Sequence, residues 1–238
     1  MGPVGIAWIV GIVLAGLGAF LLWRGQKELA RRKRVIDTKT TPAAQARVGY
    51  VEIRGTVEVG ATGTTTSPFH QATCVYCRWR VEEQITTTRY SGGKRRTSTK
   101  WVVRASGMEG GDFYVRDATG RVRIPFSGSL APTLFLAQRN VNSSGMFRSA
   151  PEHVEAFLKT RGLSSQGWVF NKAMRYIEET IGPGEPLYVL GRVARTGDEV
   201  SFVPSTASEM ILANLTEEEL IGRLGRSGFP MVVFGGLL

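Results

Sequence analysis

The sequence predicts an α+β fold: a β-rich body with two or three helices, preceded by one N-terminal transmembrane helix. Three observations carry this. None of the first 23 residues has a charged side chain. From Ala43 onward, short runs of β-branched and aromatic residues alternate with Gly- and Pro-containing turns. Two Ser/Thr-x-x-Glu spacings in the second half mark helix starts.

Composition removes several classes. The 238 residues hold two cysteines and two histidines, which excludes a disulfide scaffold. A zinc module with about six to eight Cys/His ligands is excluded as well. The chain contains no P-loop, no GxSxG elbow and no HExxH. No cofactor and no catalytic residue is expected.

Residues 1–23 form the expected membrane helix. As a helix, Gly2 to Trp23 would be about 33 Å long, the thickness of a bilayer core. A cleaved signal peptide would want a basic start and a shorter apolar run, and here the basic residues follow instead. Ala7, Gly11, Ala15 and Ala19 recur every fourth residue. This is either a packing stripe for helix–helix association in the membrane or the ordinary Gly/Ala content of such helices.

The formal charge of +10 is concentrated in two places. Arg24 to Lys39 carries +5 and Arg89 to Arg104 carries +6, so the rest of the chain stands at −1. The first patch lies in a basic juxtamembrane segment, 24–42. There Arg31, Arg32, Lys33 and Arg34 are candidates for contact with anionic headgroups. The positive-inside rule then places the following domain on the cytoplasmic side of a membrane. In the second patch, Lys94, Arg95 and Arg96 are candidates for contact with lipid or an acidic protein partner.

The body, 43–225, reads as follows. Val48 to Val59 is a strand, with Gly55 suggesting a bulge, and Gly60 to Pro68 is a loop. Cys74 to Ile85 is a second strand region. Arg89 to Lys100, with turn chemistry at Gly92-Gly93, is the long, positively charged tip of a hairpin whose other side, from Trp101, returns along the sheet. Phe113 to Ile124 is a hairpin turning at Asp117 to Gly120. Ser149 to Glu152 is a capping box opening a helix that ends at Gly162. Trp168 to Ile181 fits no single period. Leu187–Val193 and Val200–Val203 pair across Thr196 to Asp198. Thr216 to Glu219 is the second capping box, with Leu215 and Leu220 as its hydrophobic staple. Gly228 to Leu238 is uncharged and is expected to begin a second transmembrane helix. The strand–turn pattern permits a partly closed, OB-like barrel.

His70, Cys74 and Cys77 fall within eight residues. Residues three apart in a strand face opposite sides, so Cys74 and Cys77 are not expected to share a metal.

The order of these pieces resembles a known family. The pieces are Gly55-x-Val57, Ser67-Pro68, Cys74 to Arg78, Val81 to Glu83, Phe113 to Gly120, Arg175-Tyr-Ile-Glu178, Gly184 to Gly191 and Glu217-Glu-Glu-Leu220. Together, over about Gln45 to Leu224, they look like the GIDE-type domain of membrane-anchored RING E3 ubiquitin ligases, which has prokaryotic relatives. Where the family has an aromatic residue this chain has Cys77, and Ile124 to Gly128 is unlike the family. The resemblance implies protein ubiquitination, yet no RING ligands occur in these residues. The expectation is therefore a membrane-anchored interaction domain beside a bilayer, with an unidentified protein partner. One alternative is a fragment of a ligase whose RING lies beyond Leu238. The other is a basic OB-like nucleic-acid module using Arg89 to Arg104. This last is disfavoured, because only Tyr90 and Trp101 stand near for base stacking.

Overall fold

The computed structural model describes residues 3–92, 94–126, 132–136, 140–145, 148–167, 171–197, 199–203, 210–216 and 218–223. It divides into two compact units, one of Pro42–Asn214 and one of the two terminal segments.

In the terminal unit, α1 (Pro3–Asp37) is one helix of 35 residues. Its side chains at 3–7, 9 and 10 lie outside the described residues. No helix among the described residues is long and apolar enough to cross a membrane, so the expected transmembrane helix has no support there. A second helix covers 218–223. Its capping box forms as expected. The Thr216 amide donates to Glu219 Oε2 at 3.1 Å, and the Glu219 amide donates to Thr216 Oγ1 at 3.3 Å. Gly228 to Leu238 lies outside the described residues.

The larger unit is built on a closed barrel of five strands. β1 (Gly49–Val59) pairs with β6 (Phe113–Arg116) on one side and β11 (Pro186–Thr196) on the other. β6 pairs with β7 (Arg121–Ile124), β7 with β12 (Glu199–Phe202), and β12 with β11, which closes the ring. Only the β7–β12 seam is parallel, at Ser201 opposite Arg123. The OB-like barrel is thus present, and it is closed rather than partly open. Two further strands, β13 (Ile211–Ala213) and β8 (Thr133–Phe135), extend the sheet from β11. Ile53, Val57, Val115, Val122, Val189 and Phe202 fill its interior.

Gly55 is not a bulge. It sits in unbroken register opposite Leu187, one residue before β1 passes from β11 to β6. A Cβ there would lie 2.1 Å from the Arg116 carbonyl oxygen, so the missing side chain is what lets β6 approach. The hairpin turn is as expected, with Asp117 Oδ1 accepting from the amides of Thr119 and Gly120 at 2.7 and 3.0 Å.

The connection between β1 and β6 holds β2 (Thr65–Thr66), β3 (Thr73–Cys74) and a long hairpin, β4 (Tyr76–Ser91) and β5 (Lys94–Gly110). β10 (Met174–Ile181) and β9 (Asn140–Ser144) complete a second, four-stranded sheet in the order β5-β4-β10-β9. The ambiguous segment is therefore strand from Met174, while residues 168–170 lie outside the described residues. Cys77, Trp79, Val81, Met174 and Tyr176 face one side of this sheet. Against them pack Val154 and Leu158 of α2 (Glu152–Lys159). The first capping box does not form. Pro151 occupies the N-cap position, with no side-chain hydrogen bond, and Ser149 lies two residues too early.

Gly55→Ala should cost about 2–3 kcal/mol of unfolding free energy, the scale of an overpacked core site. Denaturant unfolding measures it, and a loss under about 0.5 kcal/mol, within the range of a neutral surface change, would refute the close approach.

Candidate functional site

Three places in the larger unit hold polar chemistry. The first is the outer face of β6 and β7, the face on which OB barrels bind ligands. Arg116, Arg121 and Arg123 lie on it, and each is already paired. Arg116 and Arg121 bind Glu58, while Arg123 binds Asp112 and, at 3.3 Å, Glu199. Tyr114 donates to Glu199 at 3.0 Å and carries the Arg121 guanidinium 4.2 Å above its ring. Three arginines thus meet three acids. Nothing is left over to attract a phosphate backbone.

The second place is interior. Glu178 is fully buried on β10, on the side of Tyr176 that faces α2. Its carboxyl accepts from Ser67 Oγ at 3.0 Å, from the amides of Phe69 and His70, and from His70 Nδ1 at 2.9 Å. This carboxyl pins the loop between β2 and β3, in which Gln71 adopts a φ of 55°. His153 closes the same loop through Nε2 and the Phe69 carbonyl at 3.1 Å.

Cys74 and Cys77 also lie here, and the argument that strand geometry separates them fails. The strand is interrupted at Val75, between β3 and β4, so both side chains turn into one buried cluster. Cys74 Sγ donates to the Thr65 carbonyl at 3.7 Å, and the neighbouring Cys74 thiol together with burial pushes the Cys77 thiol up. Among the described residues no group of three or more His, Cys, Asp or Glu side chains is disposed to hold a metal ion. A protonated thiol in an apolar cluster is a packing group rather than a nucleophile.

The third place is the far half of the β4–β5 hairpin. Gly92 lies in the turn, and Ser91 opposite Lys94 sets the register. The expected hairpin with a long basic tip is present, and the tip is regular ladder on both sides of the turn. Lys94, Arg95 and Arg96 are exposed. Alternation puts Lys94 and Arg96 on one face and Arg95 on the other. Arg89 and Lys100, which the charge count included but did not single out, join Lys94 and Arg96. Their common face follows from the turn position alone, so it was open to sequence reasoning. In α1, Lys33 and Arg34 are exposed, while the side chains of Arg31 and Arg32 lie outside the described residues.

With this geometry in view, comparison with known families is decisive on one point. A family model described as "GIDE: E3 Ubiquitin ligase" matches residues 82–237. The chain belongs to the GIDE family. The matched stretch takes in the Phe113–Gly120 segment of the β6–β7 hairpin, Arg175–Glu178 of β10 with its buried carboxyl, and Gly184–Gly191, which leads into β11. It begins inside β4, so β1 to β3 and both cysteines precede it. No curated protein and no solved structure matches the chain.

Two outcomes follow for the GIDE domain. Glu178→Ala leaves buried donors without an acceptor and should cost about 3–5 kcal/mol, with the Phe69 and His70 amides losing their hydrogen-exchange protection; retained protection would refute the latch. The Glu58 carboxyl is held below its ordinary value of 4.5 by hydrogen bonds from Arg116 and Arg121. Its stabilisation is therefore complete above that value and is lost as pH falls through the folded one. The melting temperature of Glu58→Gln should fall less than that of the parent between about pH 6 and about pH 3, and equal falls would remove Glu58 from the account.

Proposed function

We propose that this chain is a membrane-anchored interaction domain of the GIDE family, presenting a basic surface to an anionic membrane or acidic protein partner beside a bilayer. The observation that carries it is the exposed β4–β5 ribbon. It has six basic residues and no acidic one between Arg89 and Arg104. The anchor is supported by the uncharged run before Arg24 and by the large apolar side chains that α1 leaves exposed, among them Trp8, Ile12, Val13 and Phe20. Such a stripe is unfavourable in water and suited to lipid. Lys27 Nζ lies 4.5 Å from the Trp23 ring centre, a pairing suited to a membrane boundary. Arg31, Arg32, Lys33 and Arg34 follow, and by the positive-inside rule they hold the domain on the cytoplasmic side.

The family's description as an E3 ubiquitin ligase supports a role next to ubiquitin transfer. The two cysteines and two histidines of these residues are too few for a RING. The transfer step is thus assigned to another module, in the same protein or in a partner.

Expressed in bacteria, the full chain should sediment with membranes and resist extraction at alkaline pH. A cytoplasm-only reporter fused after Arg226 should be active. Release at alkaline pH would refute the anchor, and activity only from a periplasmic reporter at the same site would refute the orientation. With charged conjugating enzyme, the chain by itself should not raise the rate of ubiquitin discharge; a rise of about a hundredfold, the scale of one well-placed catalytic group, would refute the assignment of transfer elsewhere.

A further inference from the structure

β10 pairs with β4 only as far as Glu83, so beyond Gln84 the β4–β5 ribbon is two strands wide. Side chains alternate between its faces. One face carries Thr86, Thr88, Thr97 and Thr99, whose hydroxyls meet across the ladder at 3.3 and 3.4 Å, together with Tyr90 and Arg95. The other carries Arg89, Lys94, Arg96 and Lys100, with the hydroxyls of Thr87 and Ser98 between them.

These four cations, like Arg95 on the opposite face, differ from the remaining basic residues of their sheet. Arg104 is held by Glu83 at 2.7 Å, Arg78 by Glu179 at 2.6 Å, and Arg175 by Glu82. Among the described residues, no carboxylate pairs with Arg89, Lys94, Arg96 or Lys100. Arg89 also stands directly opposite Arg96. Like charges in facing positions work against the ladder, so the arrangement opposes folding unless an anion joins it. A concavity of about 590 Å³ lies at this place, bordered by Thr87, Arg89, Tyr90, Arg96, Ser98 and Lys100. Two guanidinium forks, an ammonium and two hydroxyls suit the oxygens of phosphate, which arginine can bind in bidentate fashion. Arg96 and Lys100 are four residues apart, about 13 Å along a strand. A ligand with several phosphates can meet both with their side chains extended across the face.

We propose that this face of the ribbon is a binding site for clustered phosphate groups, such as those of a polyphosphorylated inositol, free or as a lipid headgroup. The assignment rests on the ribbon being the contact surface, and it adds that contact is one-sided and selective for phosphate.

The test uses the full chain in neutral detergent micelles. It is titrated with inositol hexakisphosphate, with orthophosphate, and separately with micelles doped with phosphatidylinositol bisphosphate. Saturable binding is expected, weakened about tenfold or more in Arg89→Ser/Arg96→Ser and changed less than about twofold in Arg95→Ser, because only the first pair can fork onto the ligand. A response to the doped micelles alone identifies a headgroup, and a response to the free compound identifies a soluble ligand; either supports the site. The melting temperature of Arg89→Ser should hold or rise, since the facing repulsion is removed, so lost binding is not lost folding. Equal weakening by Arg95→Ser would overturn the site and leave a diffuse basic contact surface standing. Indifference to both the Arg89→Ser/Arg96→Ser and the Arg95→Ser changes would overturn both. Orthophosphate binding as tightly as inositol hexakisphosphate would overturn the clustering. Tighter binding of a single-stranded oligonucleotide would overturn the ligand class.

Discussion

The fold depends on one strand serving two partners. β1 pairs with β11 from Gly49 to Thr56 and with β6 from Thr56 to Val59, and Thr56 belongs to both ladders. A ring of five strands closes only if some strand bends enough to make this exchange. Here Gly55 lets the Arg116 carbonyl come where a Cβ would otherwise stand. Once β1 has changed partners, β6 and β7 follow as a hairpin and the parallel β7–β12 contact at Ser201 and Arg123 completes the ring.

The long insertion between β1 and β6 leaves the barrel and still has to be held. Val75 does this at the root: its amide donates to Ile181 at 2.9 Å, and its carbonyl accepts from Gly111 at 3.1 Å. Further along, Glu178 takes up the hydrogen bonds of the 67–70 loop at the edge of the Phe69, Trp79 and Tyr176 cluster. An apolar residue at 178 would leave that loop's amides buried and unpaired, which is why a carboxyl stands inside an otherwise apolar layer.

The strands of the barrel were legible because each has an apolar face of period two and ends in recognisable turn chemistry. Phe113 to Ile124 is the clearest case. Three features were not legible, each for a physical reason. The closeness of Cys74 and Cys77 depends on an interruption at Val75, whose hydrogen bonds go to residues distant in sequence. The start of α2 was misplaced because Pro151 and Ser149 both resemble helix-start residues, and only packing chose between them. The strand of Met174 to Ile181 is buried on both faces at Tyr176, Ile177 and Glu178, which erases its alternation. Of the candidate contact residues, Lys94, Arg95 and Arg96 were visible as charge. Their division between two faces was open to sequence reasoning too, since it follows from strand alternation and the position of the turn.

That division changes what the basic charge means. On the barrel, every arginine of the β6–β7 face is matched by Glu58, Asp112 or Glu199, so the surface is locally neutral and its ion pairs hold strands together. On the ribbon the same residue type has no such counterpart, and it is aligned on one face by a regular ladder. A flexible basic loop would lose conformational freedom on ordering around an anion. A ribbon carries its charges at fixed spacing before any ligand arrives, and ladder hydrogen bonds, not a partner, hold them there. The apparent excess of +10 is therefore divided between the segment after Trp23 and the β4–β5 ribbon, where four of the six cations share one preorganised face. The β6–β7 face of the barrel is nearly neutral because its charges are used internally.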